Sequence, residues 1–113
     1  MVNYNIVIVP PGGGEVDFGQ EVKGATHVPR PGEYVVISVV EGDERARGAE
    51  AYKVRYAVTH LTRRQSDHPE FVYATVEVEP VRHAMQSKDH ADMCKRYDGH
   101  WGHPTEDYPT SGY

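Results

Sequence analysis

The aliphatic side chains of this sequence are almost all β-branched: 16 valines and three isoleucines stand against a single leucine, Leu61. Valine and isoleucine are stiff about χ1 and pack well on a pleated surface, whereas leucine and alanine are the usual fillers of helical cores. An all-α fold is all but excluded. At 113 residues, 38% of them apolar, the chain can bury roughly 65% of the surface of its unfolded form, enough for one modest core but not two.

The strands are readable segment by segment. Val2–Val9 sets Val2, Tyr4, Ile6 and Ile8 on one face and Asn3 and Asn5 on the other, then stops at Pro10-Pro11-Gly12-Gly13-Gly14. Val22–Val28 has little to pack at Gly24 and Ala25, while Tyr34–Val40 is apolar on both faces. Between them, Arg30-Pro31-Gly32-Glu33 carries proline second and glycine third, as a type II turn requires, and predicts a hairpin. Tyr52–Leu61 alternates, with Tyr52, Val54, Tyr56 and Val58 on one face and Lys53, Arg55, Ala57 and Thr59 on the other. Phe71–Val81 turns Val72, Ala74, Val76 and Val78 inward and Phe71, Tyr73, Thr75, Glu77 and Glu79 outward; Pro80 ends it or marks a sheet edge. The polar stretches Glu41–Glu50 and Thr62–Glu70 connect these strands as exposed loops. Five short strands with no helical pattern between them predict a mainly β fold, a small antiparallel barrel or sandwich of SH3 or OB size built as a meander.

From Arg82 the alternation stops. Good helix formers run to Asp98-Gly99, a helix C-terminal stop, so a short helix is expected over residues 82–97. Residues 98–113, with Pro104, Pro109 and several glycines, read as an extended tail, yet they hold Trp101, Tyr108 and Tyr113, aromatics that a purely solvated tail has little reason to carry. The expected organisation is a β-rich domain over 1–81, the helix, and the tail.

The 12 basic and 17 acidic residues give a net charge of -5, which argues against a protein whose main affinity comes from neutralising phosphates. The acidic excess is also too thin for a DNA mimic. A lone cysteine, Cys94, removes any internal disulfide framework, and the opening MVNYNIVIVPP has neither the basic start nor the small-residue cleavage site of a secretory signal. A cytoplasmic protein without membrane association is expected, since the apolar run Tyr34–Val40 is far short of the roughly 20 residues of a spanning helix.

Few residues point to chemistry. His90, Cys94, His100 and His103 offer nitrogen and sulfur ligands within 14 residues, and a helix would set His90 and Cys94 on one face, a set that suits tetrahedral zinc. The spacing matches no standard finger or knuckle, and the plainer reading is a polar helix face followed by surface histidines. Zinc apart, no cofactor is expected. His83 stands about 10 Å along the axis from His90, too far to share an ion. Cys94 has His90 one turn away and Lys95 and Arg96 beside it, the setting of an activated thiol, but consecutive helical turns supply no oxyanion hole. Ser66-Asp67-His68 holds the letters of a hydrolase triad on three neighbours that point apart. Glu77 and Glu79 stand about 7 Å apart on one strand face, which is more often a solvated side than a catalytic pair. Gly12–Gly14 lacks the following lysine and helix pattern of a phosphate loop.

The remaining feature is the outward face of the last two strands, where Lys53, Arg55, Phe71 and Tyr73 come together if those strands pair. Three roles fit such a set: a protein interface, packing beneath the helix, or stacking of single-stranded nucleobases. The expectation drawn from these residues is a non-enzymatic interaction module. It would bind a protein partner, or its own copies, through Lys53, Arg55, Phe71 and Tyr73 or through Trp101 and Tyr108 of the tail. A single-stranded nucleic-acid-binding barrel and a zinc-stabilised domain are the alternatives. The valine-, glycine-, arginine- and aspartate-rich, lysine-poor composition is what a high-G+C genome gives, and it carries the association of a phage or mobile-element accessory that binds a host or structural partner.

Overall fold

The computed structural model describes residues 1–98 in full, the backbone of Gly99 and His100, and Glu106, Tyr108 and Pro109 of the tail. The strands are β1 (Val2–Ile8), β2 (Phe18–Ala25), β3 (Tyr34–Val39), β4 (Gly48–Thr62) and β5 (Glu70–Val81), followed by one helix, α1 (Lys88–His100). They form one sheet in the order β2-β1-β5-β4-β3 that curls into a half-barrel. No helix among the described residues is long and apolar enough to cross a membrane.

Two features of the expected fold are corrected. The sheet does not close, and it is mixed: β1 runs parallel to β5, Tyr4 to Ile8 against Ala74 to Val78, while the other neighbours are antiparallel. The meander fails at the turn expected to join β2 to β3. That turn forms, with the Glu33 amide donating to the Arg30 carbonyl and Gly32 at φ 88°. Its backbone is engaged elsewhere, however: the Gly32 amide donates to the Val54 carbonyl, and the Val54 amide to that of Glu33. The turn is thus pinned to β4, β3 pairs with β4, and β2 is left at the far edge beside β1. The parallel pair matches inward apolar runs, Tyr4, Ile6 and Ile8 against Ala74, Val76 and Val78, all buried. These six, with Tyr52 and Val54, are the core.

β4 departs from its alternation at one residue. Val54 pairs with Val78 but Tyr56 pairs with Glu77, so Arg55 is the extra residue of a β-bulge. A bulge reverses which face each later residue presents. Ala57 therefore packs against the core, partly buried, while Tyr56 and Val58, expected inward, are 58% and 53% exposed. Pro80 stands where β1 has ended and β5 keeps only β4 beside it, which is how a proline is accommodated in a central strand.

The helix begins six residues later than expected, because residues 82–87 are bound into a seam with β4. The Ala49 amide donates to the Met85 carbonyl and the Ser87 amide to that of Ala49. Ser87 Oγ accepts from the His90 amide at 3.1 Å, an N-cap, and the helix runs through Gly99 rather than stopping before it. His90, Cys94 and Tyr97, at i, i+4 and i+7, form its buried stripe. Asp17 accepts from Tyr97 Oη and Arg96, and Arg45 reaches Asp89 and Asp92, so both flanking loops clamp the helix over the Tyr52 end of the core.

Candidate interaction surface

β4 and β5 are longer than the sheet they belong to. β3 pairs only with Gly48–Lys53 of β4, and β1 meets β5 no earlier than Ala74. Beyond those limits β4 runs on as Tyr56–Thr62 without β3 beside it. Tyr56–Thr59 lie opposite Ala74–Glu77, which β1 still covers, and only His60–Thr62 with Glu70–Tyr73 form a two-stranded tip, closed by residues 63–69. The whole uncovered end of the two strands is the arm. The molecule is correspondingly elongated, 50 × 32 × 29 Å. Tyr56, Val58, Leu61, Phe71, Val72 and Tyr73 are all exposed on this arm, the least so Tyr73 at 41%. His60 stacks on Tyr73 with ring centroids 4.2 Å apart, a cross-strand pair that stiffens the ribbon.

The four face residues expected to converge are divided between two places. Lys53 sits opposite Glu79, eight residues up β5 from Phe71, which is about 26 Å at strand rise. Phe71 and Tyr73 belong to the arm. Lys53 and Arg55 belong to the body, and both are engaged within the chain.

Arg55 Nε donates to Glu77 at 3.1 Å and its Nη1 lies 3.5 Å from Glu79, whose carboxylate also accepts from the Gly12 amide at 2.7 Å. The bulge is what permits this, because it turns Arg55 and Tyr56 to the same side, with the guanidinium 5.4 Å from the Tyr56 ring. Glu77 and Glu79 are therefore the counter-ions of an arginine, and Pro11–Gly12 is held down by a carboxylate. Lys53 Nζ bonds Glu106 at 3.2 Å, a contact that raises the ammonium pKa. Phosphate binding requires cations free to meet it, and these two already have carboxylates.

Tyr108 is a fastening. Its ring stands edge-on to Tyr34 at 5.1 Å and tilted against His83, while the Arg82 amide donates to Glu106 and the Tyr108 amide to Arg82. Trp101 lies outside the described residues. So do His103 and the side chain of His100, so the structure places only His90 and Cys94 of the four zinc candidates. Among the described residues no cluster of three or more potential metal ligands occurs. His90 Nε2 donates to the Val81 carbonyl at 2.9 Å, its ring is edge-on to Tyr52, and burial lowers its pKa. Burial likewise pushes the Cys94 thiol up to about 11, the opposite of what an activated nucleophile needs. Ser66, Asp67 and His68 are all exposed in the turn at the arm tip.

Sequence reasoning located Phe71 and Tyr73 but missed Tyr56, Val58, Leu61 and Val72, which strict alternation assigned to the core or to neither face; Val72, expected inward, is the residue skipped at a second register shift and is exposed. The available signal was length: β4 and β5 have 15 and 12 residues where β1 and β3 have seven and six. No protein-family model matches this sequence, and no curated protein or solved structure matches it significantly.

Proposed function

We propose that this chain is a non-enzymatic protein-interaction module whose contact surface is the β4–β5 arm. The observation that carries the reading is six large apolar side chains exposed along the end of β4 and β5 that β3 leaves uncovered. Such side chains gain free energy only when a partner removes them from water, at about 25 cal/mol per Å2. Aromatic residues on a stiff support are the usual anchors of protein interfaces. Phe71 and Tyr73 keep the binding role expected of them. Lys53, Arg55 and Tyr108 are engaged within the chain, and neither cation stands beside Phe71 and Tyr73 as the single-strand reading expected.

Affinity capture from a nuclease-treated native-host lysate tests this, comparing the wild-type chain with Phe71→Ser/Tyr73→Ser and with Lys53→Ala. A protein retained by wild type and by Lys53→Ala but lost with the arm variant is the expected result. Retention that ignores the arm substitutions overturns the assignment of the surface. Capture of nothing by any of the three overturns the heterologous-partner reading.

A further inference from the structure

β3 has apolar residues on both faces, and only one face is turned to the core. Val35 and Ile37 pack against the core, which puts Tyr34, Val36 and Ser38 on the other side of the sheet. There β4 offers Ala51 and Ala49 as the partners of Val36 and Ser38, side chains that rise little above the backbone. Met85 stands beyond them, brought there by the hydrogen bond from the Ala49 amide to its carbonyl. The result is a groove of about 560 Å3, lined by Val36, Val39, Val40, Ala49 and Met85, with Tyr108 at its margin. Val40 and Met85 are 80% and 74% exposed. The described lining includes no lysine, arginine, aspartate or glutamate, so a charged segment finds no partner in it.

The tail is aimed along this groove. The Arg82 amide donates to the Glu106 carbonyl and the Tyr108 amide to the Arg82 carbonyl, the pattern of a parallel pair. At Glu106 and Tyr108 the tail therefore runs the way β5 runs as it leaves Val81. Both β5 and β3 are antiparallel to β4, so the tail also runs the way of β3, from Tyr34 toward Val39. Tyr108 fixes its starting point, with the ring edge-on to Tyr34 at 5.1 Å. Thr110, Ser111, Gly112 and Tyr113 follow Pro109 and lie outside the described residues. Tyr113 is five residues past Tyr108, as Val39 is past Tyr34, a reach of about 17 Å at strand rise.

We infer that Thr110–Tyr113 of the same chain occupy this groove as a strap, with the Tyr113 ring set against Val39, Val40 and Met85. The segment matches the groove in chemistry. It is uncharged, as the lining is, and its one large side chain comes at the end where Val40 and Met85 stand exposed. Gly112 frees the backbone to turn that ring inward. An aromatic side chain buries about 150 to 250 Å2, and methionine sulfur makes favourable contacts with aromatic rings. Because Tyr108 is already fastened, the strap reaches the groove over a few residues, at an effective concentration in the millimolar range, and outcompetes a dilute segment of similar chemistry. Tyr108 and Tyr113 are then the two ends of one fastening, which gives both tail aromatics a role within the chain. The groove lies on β3 and the Ala49 seam rather than on the arm, so this inference is independent of the arm's role.

Oxidation by hydrogen peroxide, followed residue by residue in the full chain by mass spectrometry, reads the strap at Met85. In wild type Met85 is expected to oxidise several-fold more slowly than in Tyr113→Ser, while Tyr113→Phe matches wild type and Met1, itself 96% exposed, reacts alike in all three. Val40→Lys, which sets a charge at the seat of the ring, should speed oxidation of Met85 as Tyr113→Ser does. Nuclear Overhauser contacts from the Tyr113 ring to the methyls of Val39, Val40 and Met85 give the geometry, and in a mixture of isotope-labelled and unlabelled chains they should arise within one chain. Equal oxidation of Met85 in wild type and Tyr113→Ser overturns the inference, as does a Tyr113 ring without contact to these methyls. Contacts that arise only between differently labelled chains overturn it also, because another copy's tail then fills the groove. The arm is decided apart from all of these, by lysate capture with Phe71→Ser/Tyr73→Ser.

Discussion

Gly48→Ala should be the most damaging small substitution in the chain, and its cost can be worked from the seam that seats α1. Gly48 has φ 131°, and a Cβ built there lies 2.8 Å from Ser87 N, 3.0 Å from Ser87 Cα and 3.1 Å from the Met85 carbonyl oxygen. All three are backbone atoms, so the seam itself has to move. The two hydrogen bonds that fix it, Ala49 amide to Met85 and Ser87 amide to Ala49, lie next to the clash. Losing both costs about 2 kcal/mol net, and the left-handed backbone adds about 1 to 2 kcal/mol, for about 3 to 4 kcal/mol together. Gly32→Ala is the control. Gly32 also has positive φ, 88°, but nothing lies within 4 Å of the added carbon, leaving only the backbone term. At this chain length 1 kcal/mol moves Tm by about 4 °C, so thermal melts followed by circular dichroism should show losses of about 12 to 16 °C against about 4 to 8 °C. Equal losses at the two glycines would refute the claim that close approach of the seam, rather than φ alone, holds position 48 to glycine.

Acidification should weaken the fold through His90. Burial keeps its folded-state pKa below the ordinary 6.5, so as pH falls the unfolded chain takes up the proton first. The stability it contributes is complete above about 6.5 and is lost at up to about 1.4 kcal/mol per pH unit from there down to the folded value. Urea unfolding at a series of pH values should show this slope in wild type and a shallower one in His90→Gln, whose amide can still donate to Val81; parallel slopes would assign the effect elsewhere. Arg55→Ala should cost about 1 to 2 kcal/mol, because it leaves the half-buried Glu77 and Glu79 without their shared cation, and Arg55→Lys should recover little, since two separate guanidinium nitrogens make the contacts. Amide exchange at Gly12 should quicken in both variants, and unchanged exchange would detach Arg55 from the loop.

What the sequence disclosed follows the reach of each signal. Alternation along Val2–Ile8 and Ala74–Val78 found the central strands and their inward faces, because nothing interrupts the pleat there. Alternation also continued smoothly through Arg55, where the bulge is invisible: one residue left out of the ladder changes no residue type, only which face each later one occupies. The turn at Arg30–Glu33 was legible because proline and glycine dictate it locally, yet its hydrogen bonds to Val54, which decide the strand order, join residues more than 20 positions apart. The helix was placed early because 82–87 contain good helix formers, and the contacts with Ala49 that hold them out of the helix are equally remote in sequence. The candidate face failed for the same reason. Lys53 and Arg55 are recognisably cationic in any sequence, but Glu106, Glu77 and Glu79 are identified as their partners only once the strands are in register.

The sheet thereby divides into ends with opposite physics. At one end α1, the Ala49 seam, the Arg55 carboxylate pair and Tyr108 on Tyr34 concentrate the burial and the charged contacts. At the other, the strands run on with apolar side chains in water and no strand beside Tyr56–Thr62 on the β3 side among the described residues. Local stability follows buried contact, so the arm is the segment with the smallest share of it and the most freedom to adjust to what it meets. Its position is nevertheless fixed, because β4 and β5 continue from it without a break into the core at Val54, Val76 and Val78. A binding element of this kind keeps its orientation without ordering a loop on association, which lowers the entropic cost of the contact. Moving the exposed residues into a loop of the same composition would forfeit that advantage. Substituting Pro80 or the Ala49 seam, far from any partner, should weaken association by loosening the strands that aim the arm.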